Sequence, residues 1–358
     1  MVATPAPHVV YDWGMARLDR HDRPLRNLRV SVTDRCNLRC AYCMPEQEYT
    51  WLPKPDILTF DEIERLVRVF AGAGVDKVRF TGGEPLLRQE LPVLIERVAR
   101  TPGLRDIAMT TNGILLADAA PDLRRAGLHR VTVSLDTLRE DRFRALTRRG
   151  GVDHVLAGIA SLAPAGFRGT RIDTVVMRGV NDDELLDLLD AAAEHDAELR
   201  FIEYMDVGGA TGWSMEQVVP RDEILARLED ARGPIEPLPA ADATEAAAPA
   251  ERFRFADGRT FGLIASTTAP FCARCDRSRL TADGHWYLCL YARLGIDLKG
   301  PLRAGATDDE LRARLERTWT HRDDRGAEER LRAETRAALV ARDDLRDDPR
   351  LEMHTRGG

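Results

Sequence analysis

The sequence has no apolar run close to the roughly 20 residues that cross a bilayer as a helix. Its first twenty residues, MVATPAPHVVYDWGMARLDR, contain no basic stretch followed by an apolar core, so we expect no secretory signal. Basic side chains do not predominate, because 52 Lys and Arg stand against 59 Asp and Glu, for a net charge of -7. This balance argues against a general nucleic-acid binder. We therefore expect a cytoplasmic protein that binds neither nucleic acid nor membrane.

Cysteine is scarce, with six residues in a chain of 358. A disulfide framework is not expected in a long chain without an export signal, because the cytosol keeps thiols reduced. The six fall into two groups of three, and three cysteines within eight residues rarely arise from packing needs. We therefore interpret both groups as metal-binding. The groups consist of Cys36, Cys40 and Cys43, and of Cys272, Cys275 and Cys289.

The first group has the spacing C-x3-C-x2-C. Three thiolates can hold three irons of a cubic 4Fe–4S cluster, whereas electron-transfer clusters usually take four cysteines. The missing ligand leaves one iron open for a small molecule. A zinc site with a remote fourth ligand is the alternative, and the flanking residues favour the cluster. The spacing resembles the signature of radical S-adenosylmethionine (SAM) enzymes, in which SAM fills the open position and an electron from the cluster cleaves it to a 5′-deoxyadenosyl radical.

Apolar, β-rich runs alternate with amphipathic helical patterns through the first two-thirds of the chain. Strands are predicted over 27–33, 77–80, 106–111, 130–136, 171–177 and 199–205. Helices are predicted over 58–74, 88–100, 114–126, 139–164 and 182–194. The first helix has a capping box, Thr59 with Glu62. These six units predict an α/β fold, an incomplete six-stranded (β/α)6 TIM-type barrel with its chemistry at the carboxyl ends of the strands.

The length predicts one large or two modest domains. We expect a flexible N-terminus over 1–20, the barrel over 21–235, a low-complexity linker over 236–252 and a C-terminal α+β extension over 253–358. The linker sequence EPLPAADATEAAAPAE is rich in alanine, proline and acidic residues, which is typical of a mobile surface segment. The extension begins with a hairpin pattern that turns at Asp257-Gly258.

The second cysteine group, C-x2-C-x13-C, leaves two interpretations open. His285 lies between its last two cysteines, so the spacing also allows a Cys3His zinc site. Arg277 and Arg279 follow the group directly, and guanidinium groups beside a metal site suit a bound phosphate or carboxylate. Alternatively, both arginines neutralise the thiolates.

Two further loops follow predicted strands. Gly82 and Gly83 let backbone groups approach a ligand closely, and Glu84 beside them offers a carboxylate for an ammonium group. Ser134 and Asp136 end a strand where ribose hydroxyls are commonly bound, although a helix cap explains them equally well. Because all these loops follow strands, we expect them to converge on one face of the barrel.

Six motifs and the two last residues occur together in one order. They are SVTDRCNLRCAYCMP, VRFTGGEPLLR, TTNG, VTVSLDTL, RFIEYM, FCARCDRSRLTADG and the final Gly357-Gly358. This combination resembles the GTP 3′,8-cyclases, the radical SAM enzymes that begin molybdenum cofactor (molybdopterin) biosynthesis. The resemblance runs from about residue 20 to 305 and returns at the end of the chain.

The resemblance implies two 4Fe–4S clusters, one on each cysteine group, so that the C-terminal extension carries a second iron–sulfur site. SAM would bind the first cluster and GTP the second. The 5′-deoxyadenosyl radical would take hydrogen from C3′ of GTP, and the C3′ radical would attack C8. One more electron and a proton would give (8S)-3′,8-cyclo-7,8-dihydroguanosine 5′-triphosphate.

The resemblance also implies roles for individual residues. The cofactor contacts would be Tyr42, Gly83, Glu84, Ser134 and Met205. The GTP contacts would be Arg29, Arg79, Thr110, Arg171, Arg277 and Arg279. Gly357 and Gly358 would form a tail without side chains that threads into the barrel and acts beside the first cysteine group in catalysis. The implied partners are a reductant protein and a downstream molybdopterin-pathway enzyme, with a homodimer as one possible assembly.

Some positions depart from the family pattern. Arg171 stands where lysine is usual, Met205-Asp206-Val207 replaces an MPL-like sequence, and the tail reads MHTRGG instead of Ser-x-Ile-Gly-Gly. We expect Arg356 in this tail to add a phosphate contact. Two other hypotheses stay open: a two-cluster paralogue acting on another nucleotide or on a peptide, and a zinc- or iron–sulfur-stabilised binding protein without catalysis.

Overall fold

Strands and helices alternate through the first two-thirds of the structure, as the sequence predicts. The computed structural model describes residues 17–46, 48–241, 246–334 and 336–357. Residues 1–16 of the predicted N-terminal segment and the predicted catalytic Gly358 lie outside the described residues. The division into domains therefore stays a prediction.

Six β/α units confirm the predicted fold class. The strands are β1 Asn27–Ser31, β2 Lys77–Thr81, β3 Asp106–Thr111, β4 Arg130–Ser134, β5 Thr170–Val176 and β6 Ala197–Glu203. The helices are α1 Phe60–Gly72, α2 Leu91–Ala99, α3 Leu116–Arg125, α4 Glu140–Thr147, α5 Val152–Leu162 and α6 Leu185–Glu194. Helices α4 and α5 together connect β4 to β5, and each of the other four helices returns the chain to the next parallel strand.

The remaining elements are shorter and belong to the second half of the chain. The helices are α7 Arg221–Arg232, α8 Lys299–Arg303, α9 Asp308–Thr320, α10 Gly326–Leu331 and α11 Arg342–Asp347. The strands are β7 Ile235–Leu238, β8 Glu251–Phe255, β9 Thr260–Ile264, β10 Arg277–Leu280, β11 His285–Tyr287 and β12 Ile296–Asp297.

One twelve-stranded sheet joins both halves, in the order β12-β11-β10-β1-β2-β3-β4-β5-β6-β9-β8-β7. The six predicted strands pair in parallel with their neighbours. The C-terminal region adds one parallel strand at each edge, β10 beside β1 and β9 beside β6. The six-unit barrel is thus extended on both sides by strands that come from outside the repeating β/α units.

Helix α1 illustrates how the local sequence builds these elements. Thr59 accepts a hydrogen bond from the Glu62 amide and Glu62 accepts one from the Thr59 amide, so the predicted capping box is present. Ile63, Val67 and Phe70 are buried on the side that faces the sheet. Burial of each such side chain contributes about 1.5–3 kcal/mol, more than the roughly 1 kcal/mol of the cap.

The predicted hairpin is present as β8 and β9, which pair antiparallel around a turn at Gly258 (φ +90°). The first residues of the predicted linker, 236–238, lie in β7 and pair with β8. Residues 242–245 of that linker lie outside the described residues.

The strand register places basic side chains side by side inside the barrel. Arg29 of β1 is opposite Arg79 of β2 and opposite Arg279 of β10. Its neighbours Leu28 and Val30 are fully buried in the hydrophobic core. Because successive side chains of a strand point to opposite faces, the arginines face the inside of the barrel while Leu28 and Val30 pack against the helices. In the described parts of the chain, no helix is both long and apolar enough to cross a membrane.

Candidate active site

All six cysteines line one cavity of about 310 Å³ at the carboxyl ends of the strands. We call this the triad cavity, the first triad being Cys36, Cys40 and Cys43, and the second Cys272, Cys275 and Cys289. All six thiols are free. The two groups are more than 200 residues apart in the sequence, and the parallel pairing of β10 with β1 brings them together.

The first triad lies in the loop that follows β1. The loop turns tightly at Cys40, whose carbonyl accepts hydrogen bonds from the amides of Cys43 (3.0 Å) and Met44 (2.7 Å). It is attached to the end of α4, because the Arg39 amide donates to the Thr147 carbonyl at 2.9 Å. Burial raises the pKa of the Cys36 thiol to about 11, and it raises those of Cys40 and Cys43 further.

The loop with Gly82 and Gly83 packs directly on the cysteine loop. The Gly83 amide donates to the Thr33 carbonyl at 2.9 Å. A Cβ on Gly82 would overlap the Thr33 carbonyl oxygen, and one on Gly83 would overlap that of Arg35. Both glycines are therefore required for this close approach. Gly83 lines the triad cavity, as predicted for a residue that contacts the cofactor.

Glu84 is held in place by protein donors. Its side chain is fully buried and is not among the residues that line the triad cavity. Its carboxylate accepts hydrogen bonds from Thr111 Oγ1 (2.7 Å), the Asn112 amide (2.8 Å) and the Leu86 amide (3.0 Å). Glu84 thereby holds the loop of Thr111 and Asn112, and both of those residues line the cavity. Its predicted contact with SAM stays a prediction.

The other predicted cofactor residues, Tyr42, Ser134 and Met205, all line the triad cavity. The Tyr42 hydroxyl donates to Asp136 Oδ2 at 2.7 Å, and the Val175 amide donates to Asp136 Oδ1 at 2.9 Å. Burial raises the pKa of Asp136 to about 6. Asp136 is thus a fixed acceptor between the cysteine loop and β5, and its carboxylate does not cap a helix.

The second triad lies among arginines. Burial alone would raise the pKa of Cys275, but Arg277 and Arg322 lower it to about 6. Burial raises the pKa of Cys289 to about 11. Arg277 also lies over the Phe271 ring, with its guanidinium carbon 4.6 Å from the ring centre. The thiolate form of Cys275 is therefore favoured, and the thiolate is the form of cysteine that binds a metal.

The zinc alternative with His285 finds no support in the structure. His285 is not among the residues that line the triad cavity, and its Nδ1 lies 3.3 Å from Asp283 Oδ2. Within the described ranges no three or more His, Cys, Asp or Glu side chains are gathered as ligands for one metal ion. A cubic cluster instead distributes its cysteines over separate irons. Each triad offers three free thiols, the donor set of a cubic cluster that has one open iron.

A second cavity of about 580 Å³ continues from the triad cavity into the barrel, and we call it the basic lumen. Eight basic and four acidic side chains line it. The basic ones are Arg29, Lys77, Arg79, Arg130, Arg171, Arg200, Arg252 and Arg277. The acidic ones are Asp106, Asp173, Glu198 and Asp276. Arg29, Thr110 and Arg277 line both cavities, so the predicted GTP residues surround one continuous space.

Positively charged side chains outnumber negatively charged ones in the basic lumen, and they lie close to one another. Burial and the neighbouring arginines lower the pKa of Arg79 and of Arg171 to about 9. Arg79 Nη1 donates to the hydroxyls of Thr110 and Thr132, both at 3.0 Å. Such a group of buried cations favours a multiply charged anion.

Four lumen residues were missed by sequence reasoning: Lys77, Arg130, Arg200 and Arg252. All four lie on strands of the sheet, as Arg29 and Arg79 do. The available signal was a basic residue inside an otherwise apolar strand, which indicates either an edge or a polar lumen.

The tail reaches the inside of the barrel. The Gly357 carbonyl accepts hydrogen bonds from Arg29 Nη1 (3.0 Å) and Arg279 Nη1 (2.6 Å). Gly357 has φ +65°, and a Cβ there would overlap Thr81 Oγ1. His354, which sequence reasoning missed, lines the triad cavity, and its amide donates to the Cys43 thiol.

Arg356 requires a correction. Its guanidinium lies over the Tyr287 ring (4.2 Å) and donates to the carbonyls of Leu290 and Ala292. It is only 2% exposed and lines neither the triad cavity nor the basic lumen. The predicted phosphate contact is therefore wrong, because backbone acceptors bind this side chain away from the lumen.

The chain matches two protein families along its length. The radical SAM superfamily matches residues 30–192, and Molybdenum Cofactor Synthesis C matches residues 197–328. Each match contains one cysteine triad. The chain is 55% identical over 344 residues to GTP 3′,8-cyclase 1 of Mycobacterium tuberculosis, which covers 95% of each protein. It belongs to the GTP 3′,8-cyclase family.

Other members of the cyclase family are similar over most of their length. The GTP 3′,8-cyclase of Acidothermus cellulolyticus is 48% identical over 320 residues, 87% of each protein. That of Xanthomonas campestris pv. campestris is 47% identical over 317 residues, 87% of this chain and 92% of the relative. As a member of the cyclase family and of the radical SAM superfamily, the chain is a radical SAM enzyme that uses SAM and a 4Fe–4S cluster.

A solved structure supports the fold. SuiB of Streptococcus suis, bound to S-adenosylmethionine, aligns with a TM-score of 0.56 over 83% of this chain and 69% of that chain. The two sequences are 15% identical, so the likeness concerns the fold and not the substrate.

Proposed function

We propose that this enzyme cyclises GTP, joining C3′ of the ribose to C8 of the guanine, as the first step of molybdenum cofactor biosynthesis. The observation that carries the proposal is that the triad cavity, which both cysteine triads line, is continuous with the basic lumen. A radical reaction at one end and a bound nucleotide triphosphate at the other need this combination of thiols and arginines.

We assign a 4Fe–4S cluster to each triad. Cys36, Cys40 and Cys43 would hold the first, and Cys272, Cys275 and Cys289 the second. When bound, the two clusters supply the single electrons that start and complete a radical reaction. Three free thiols at each position support this assignment.

The residues around the first triad position the cofactor. Gly83 allows the loop to approach it closely, while Ser134 and Met205 line its side of the cavity. Tyr42 is fixed by Asp136, and Glu84 acts as a positioning residue through Thr111 and Asn112. Fixed partners of this kind lower the entropic cost of holding a reactive group in place.

The basic lumen would hold the triphosphate of GTP. Partial burial lowers the pKa of Arg29, Arg79 and Arg171, and neighbouring arginines lower it further, so a bound polyanion would stabilise all three. Thr110 orients Arg79 through its hydroxyl. Arg277 and Arg279, next to the second triad, would bind at the nucleoside end. Guanidinium groups bind phosphate in two-point geometry, and Arg171 in place of a lysine retains that charge.

Gly357 would place the tail against the substrate. Its carbonyl lies between Arg29 and Arg279, two of the proposed GTP residues. Gly358 lies outside the described residues, and its catalytic role is part of the same proposal. A tail without side chains can limit the motion of a substrate radical without filling the lumen.

One experiment tests the substrate directly. The enzyme is reconstituted anaerobically and incubated with SAM, a chemical reductant and GTP that carries deuterium at C3′. The cyclised product is an isomer of unlabelled GTP and has lost the deuterium of its substrate, so chromatography and fragmentation are used together with its mass to identify it. We expect a new nucleotide whose base does not leave the sugar on fragmentation, and 5′-deoxyadenosine that carries deuterium.

The control reactions distinguish the competing hypotheses. ATP replaces GTP in one reaction, and the Cys40→Ala variant replaces the enzyme in another. Unlabelled 5′-deoxyadenosine with unchanged GTP would contradict the proposal. A cyclised product from ATP only would favour a paralogue for another nucleotide.

The proposed partners follow from the chemistry. The enzyme needs a reductant protein for its clusters and a downstream enzyme of the molybdopterin pathway for its product, and we retain a homodimer as a proposed assembly. Reduced free thiols at all six cysteines agree with a cytoplasmic location, which we also propose. The predicted domain boundaries after residues 20, 235 and 252 are also part of this proposal.

A further inference from the structure

Three buried arginines hold the backbone that carries the second triad. Arg23 Nη1 donates to the Cys272 carbonyl at 3.0 Å, and Arg322 Nη1 donates to the Cys275 carbonyl at 2.8 Å. Arg356 Nη1 donates to the carbonyls of Leu290 (3.1 Å) and Ala292 (2.6 Å), which follow Cys289. Each of the three arginines is only 2% exposed. We call them the arginine collar.

The arginine collar is assembled from distant parts of the chain. Arg23 precedes β1, Arg322 follows α9 and Arg356 belongs to the tail. Trp319 links the first two, because its indole nitrogen donates to the Arg23 carbonyl at 3.0 Å and its ring lies 4.5 Å from the Arg322 guanidinium. Arg23 and Arg322 are therefore packed together on one side of the second triad, and Arg356 holds the loop after Cys289 separately.

The first triad is held differently. Arg39 donates to the carbonyls of Cys36 and Leu38, both at 2.8 Å, and its side chain is only half-buried. Water can therefore screen its charge. The charges of the arginine collar are shielded from water, so their effect on a nearby anion is much larger.

Acidic groups only partly balance the arginine collar. Asp19 Oδ2 lies 2.7 Å from Arg23 Nε and 3.4 Å from Arg322 Nη1, and it is fully buried. Asp324 lies 3.5 Å from Arg322, with its side chain 31% exposed. Arg356 instead packs on the Tyr287 ring. Burying excess positive charge is costly unless an anion accompanies it, and an iron–sulfur cluster on three thiolates is such an anion.

We propose that Arg23, Arg322 and Arg356 are positioning residues of the second cluster, which hold its three loops and raise its reduction potential through their charge. The inference rests on the proposed second cluster. Reduction adds an electron to an anionic cluster, so nearby buried cations favour the reduced state.

The test measures the potential of the second cluster alone. Full-length protein with Cys40→Ala, which cannot hold the first cluster, is reconstituted and titrated anaerobically while its paramagnetic resonance spectrum is recorded. Arg322→Gln removes the charge, and Arg322→Lys retains it. Arg314→Gln is the matched control, because it makes the same change at an exposed position of the neighbouring helix, α9.

We expect Arg322→Gln to shift the midpoint potential downwards, and Arg322→Lys and Arg314→Gln to stay close to the parent protein. Loss of iron from Arg322→Gln but from neither of the other two would also support the inference, because it identifies a cation that the cluster requires. An unchanged midpoint in Arg322→Gln with full iron content would overturn it. A downward shift of equal size in Arg322→Lys would overturn the role of charge.

The same measurement separates this inference from the function on which it rests. If the Cys40→Ala parent binds no 4Fe–4S cluster, the second cluster itself is wrong. If the parent binds one and the three variants titrate alike, the cluster stands and only the role of the arginine collar fails. Arg356→Gln repeats the test at a second position of the collar.

Discussion

Arg29 and Arg279 donate hydrogen bonds to the same oxygen, the backbone carbonyl of Gly357, at 3.0 and 2.6 Å. The two arginines lie opposite each other in the pairing of β1 with β10. Gly357 therefore contacts two proposed GTP residues, one of which, Arg29, lines both the triad cavity and the basic lumen. Arg279 contacts both tail and proposed substrate site, so substituting it alone cannot separate the two roles.

The tail can be tested by adding one methyl group. In Gly357→Ala the new Cβ would overlap Thr81 Oγ1, and φ +65° is unfavourable for alanine. We expect cyclised product to fall by on the order of a hundredfold, because a displaced substrate radical is quenched before it reacts. Cleavage of SAM should continue, so 5′-deoxyadenosine and cyclised product are measured together.

Gly179→Ala is the matched control for that substitution. Gly179 has φ +72°, yet a Cβ there would meet no atom within 4 Å. It carries the same backbone strain without the overlap. Loss of cyclisation in both variants would indicate general destabilisation and not a role for the tail.

Arg79 tests the basic lumen without disturbing the tail. It donates to Thr110 and Thr132 and makes no contact with Gly357 among its described hydrogen bonds. Losing one charge-assisted contact costs about 1.5–3 kcal/mol, so Arg79→Ala should weaken GTP binding by about ten- to a hundredfold. Calorimetry on the anaerobic enzyme measures this, with the exposed Arg125→Ala as control. Equal affinity in the two variants would remove Arg79 from the substrate site.

Glu84 should act on the cofactor through its loop. In Glu84→Gln an NH2 group replaces one acceptor oxygen and faces donors such as the Asn112 amide. We expect the protein to lose about 1–3 kcal/mol of unfolding free energy, because a buried donor then lacks its acceptor. SAM affinity should fall with it, while GTP affinity stays the same. A normal affinity for SAM in a destabilised variant would limit Glu84 to a role in folding.

The two triads should lose iron independently. Cys40→Ala should abolish SAM cleavage while the second triad keeps its iron. Cys275→Ala should lose about half of the iron and retain slow SAM cleavage, because the first cluster remains. Iron analysis and 5′-deoxyadenosine formation are measured on each reconstituted variant. Zinc bound at the second triad in the unsubstituted protein would contradict the assignment.

Asp283 should give the protein an acid-sensitive contribution to stability. It is fully buried, and it accepts hydrogen bonds from Thr281 Oγ1 and from Arg350 Nε, both at 2.6 Å. Burial alone would raise its pKa, but His285, Thr281 and Arg350 hold it well below the ordinary value. A carboxyl group whose pKa is lowered by folding stabilises the folded protein at pH values above its pKa in the unfolded chain, about 4. This stabilisation is lost as the pH falls towards the pKa of the group in the folded protein.

Denaturant unfolding of the apoprotein checks this expectation. Asp283→Asn should cost about 1–3 kcal/mol at pH 7, and its difference from the unsubstituted protein should shrink below about pH 4. Asp309→Asn, at a carboxylate whose side chain is 83% exposed, serves as control. A difference that is constant with pH would mean that the Asp283 carboxylate is not the acid-sensitive group.

Local pattern alone predicted the repeating part of the fold and the first triad. Strands such as 106–111 have a period that depends only on neighbouring residues, and β3 has those bounds. The capping box of Thr59 and Glu62 needs two residues three positions apart. The first triad is equally local, because its cysteines occupy a single loop whose spacing already matches a cubic cluster.

Only the tertiary structure decided which distant groups meet. The hydrogen bonds of Glu84 depend on the loop of Thr111 and Asn112, and those of Arg356 depend on the loop after Cys289. The predicted phosphate contact of Arg356 was wrong because backbone acceptors far along the chain bind its side chain. The joining of β10 to β1 and of β9 to β6 likewise depends on non-local pairing. The spacing of residues in the sequence indicates which groups can bind a metal or a phosphate. Their approach to one another across 200 or more residues is set by packing and register, which no local pattern contains.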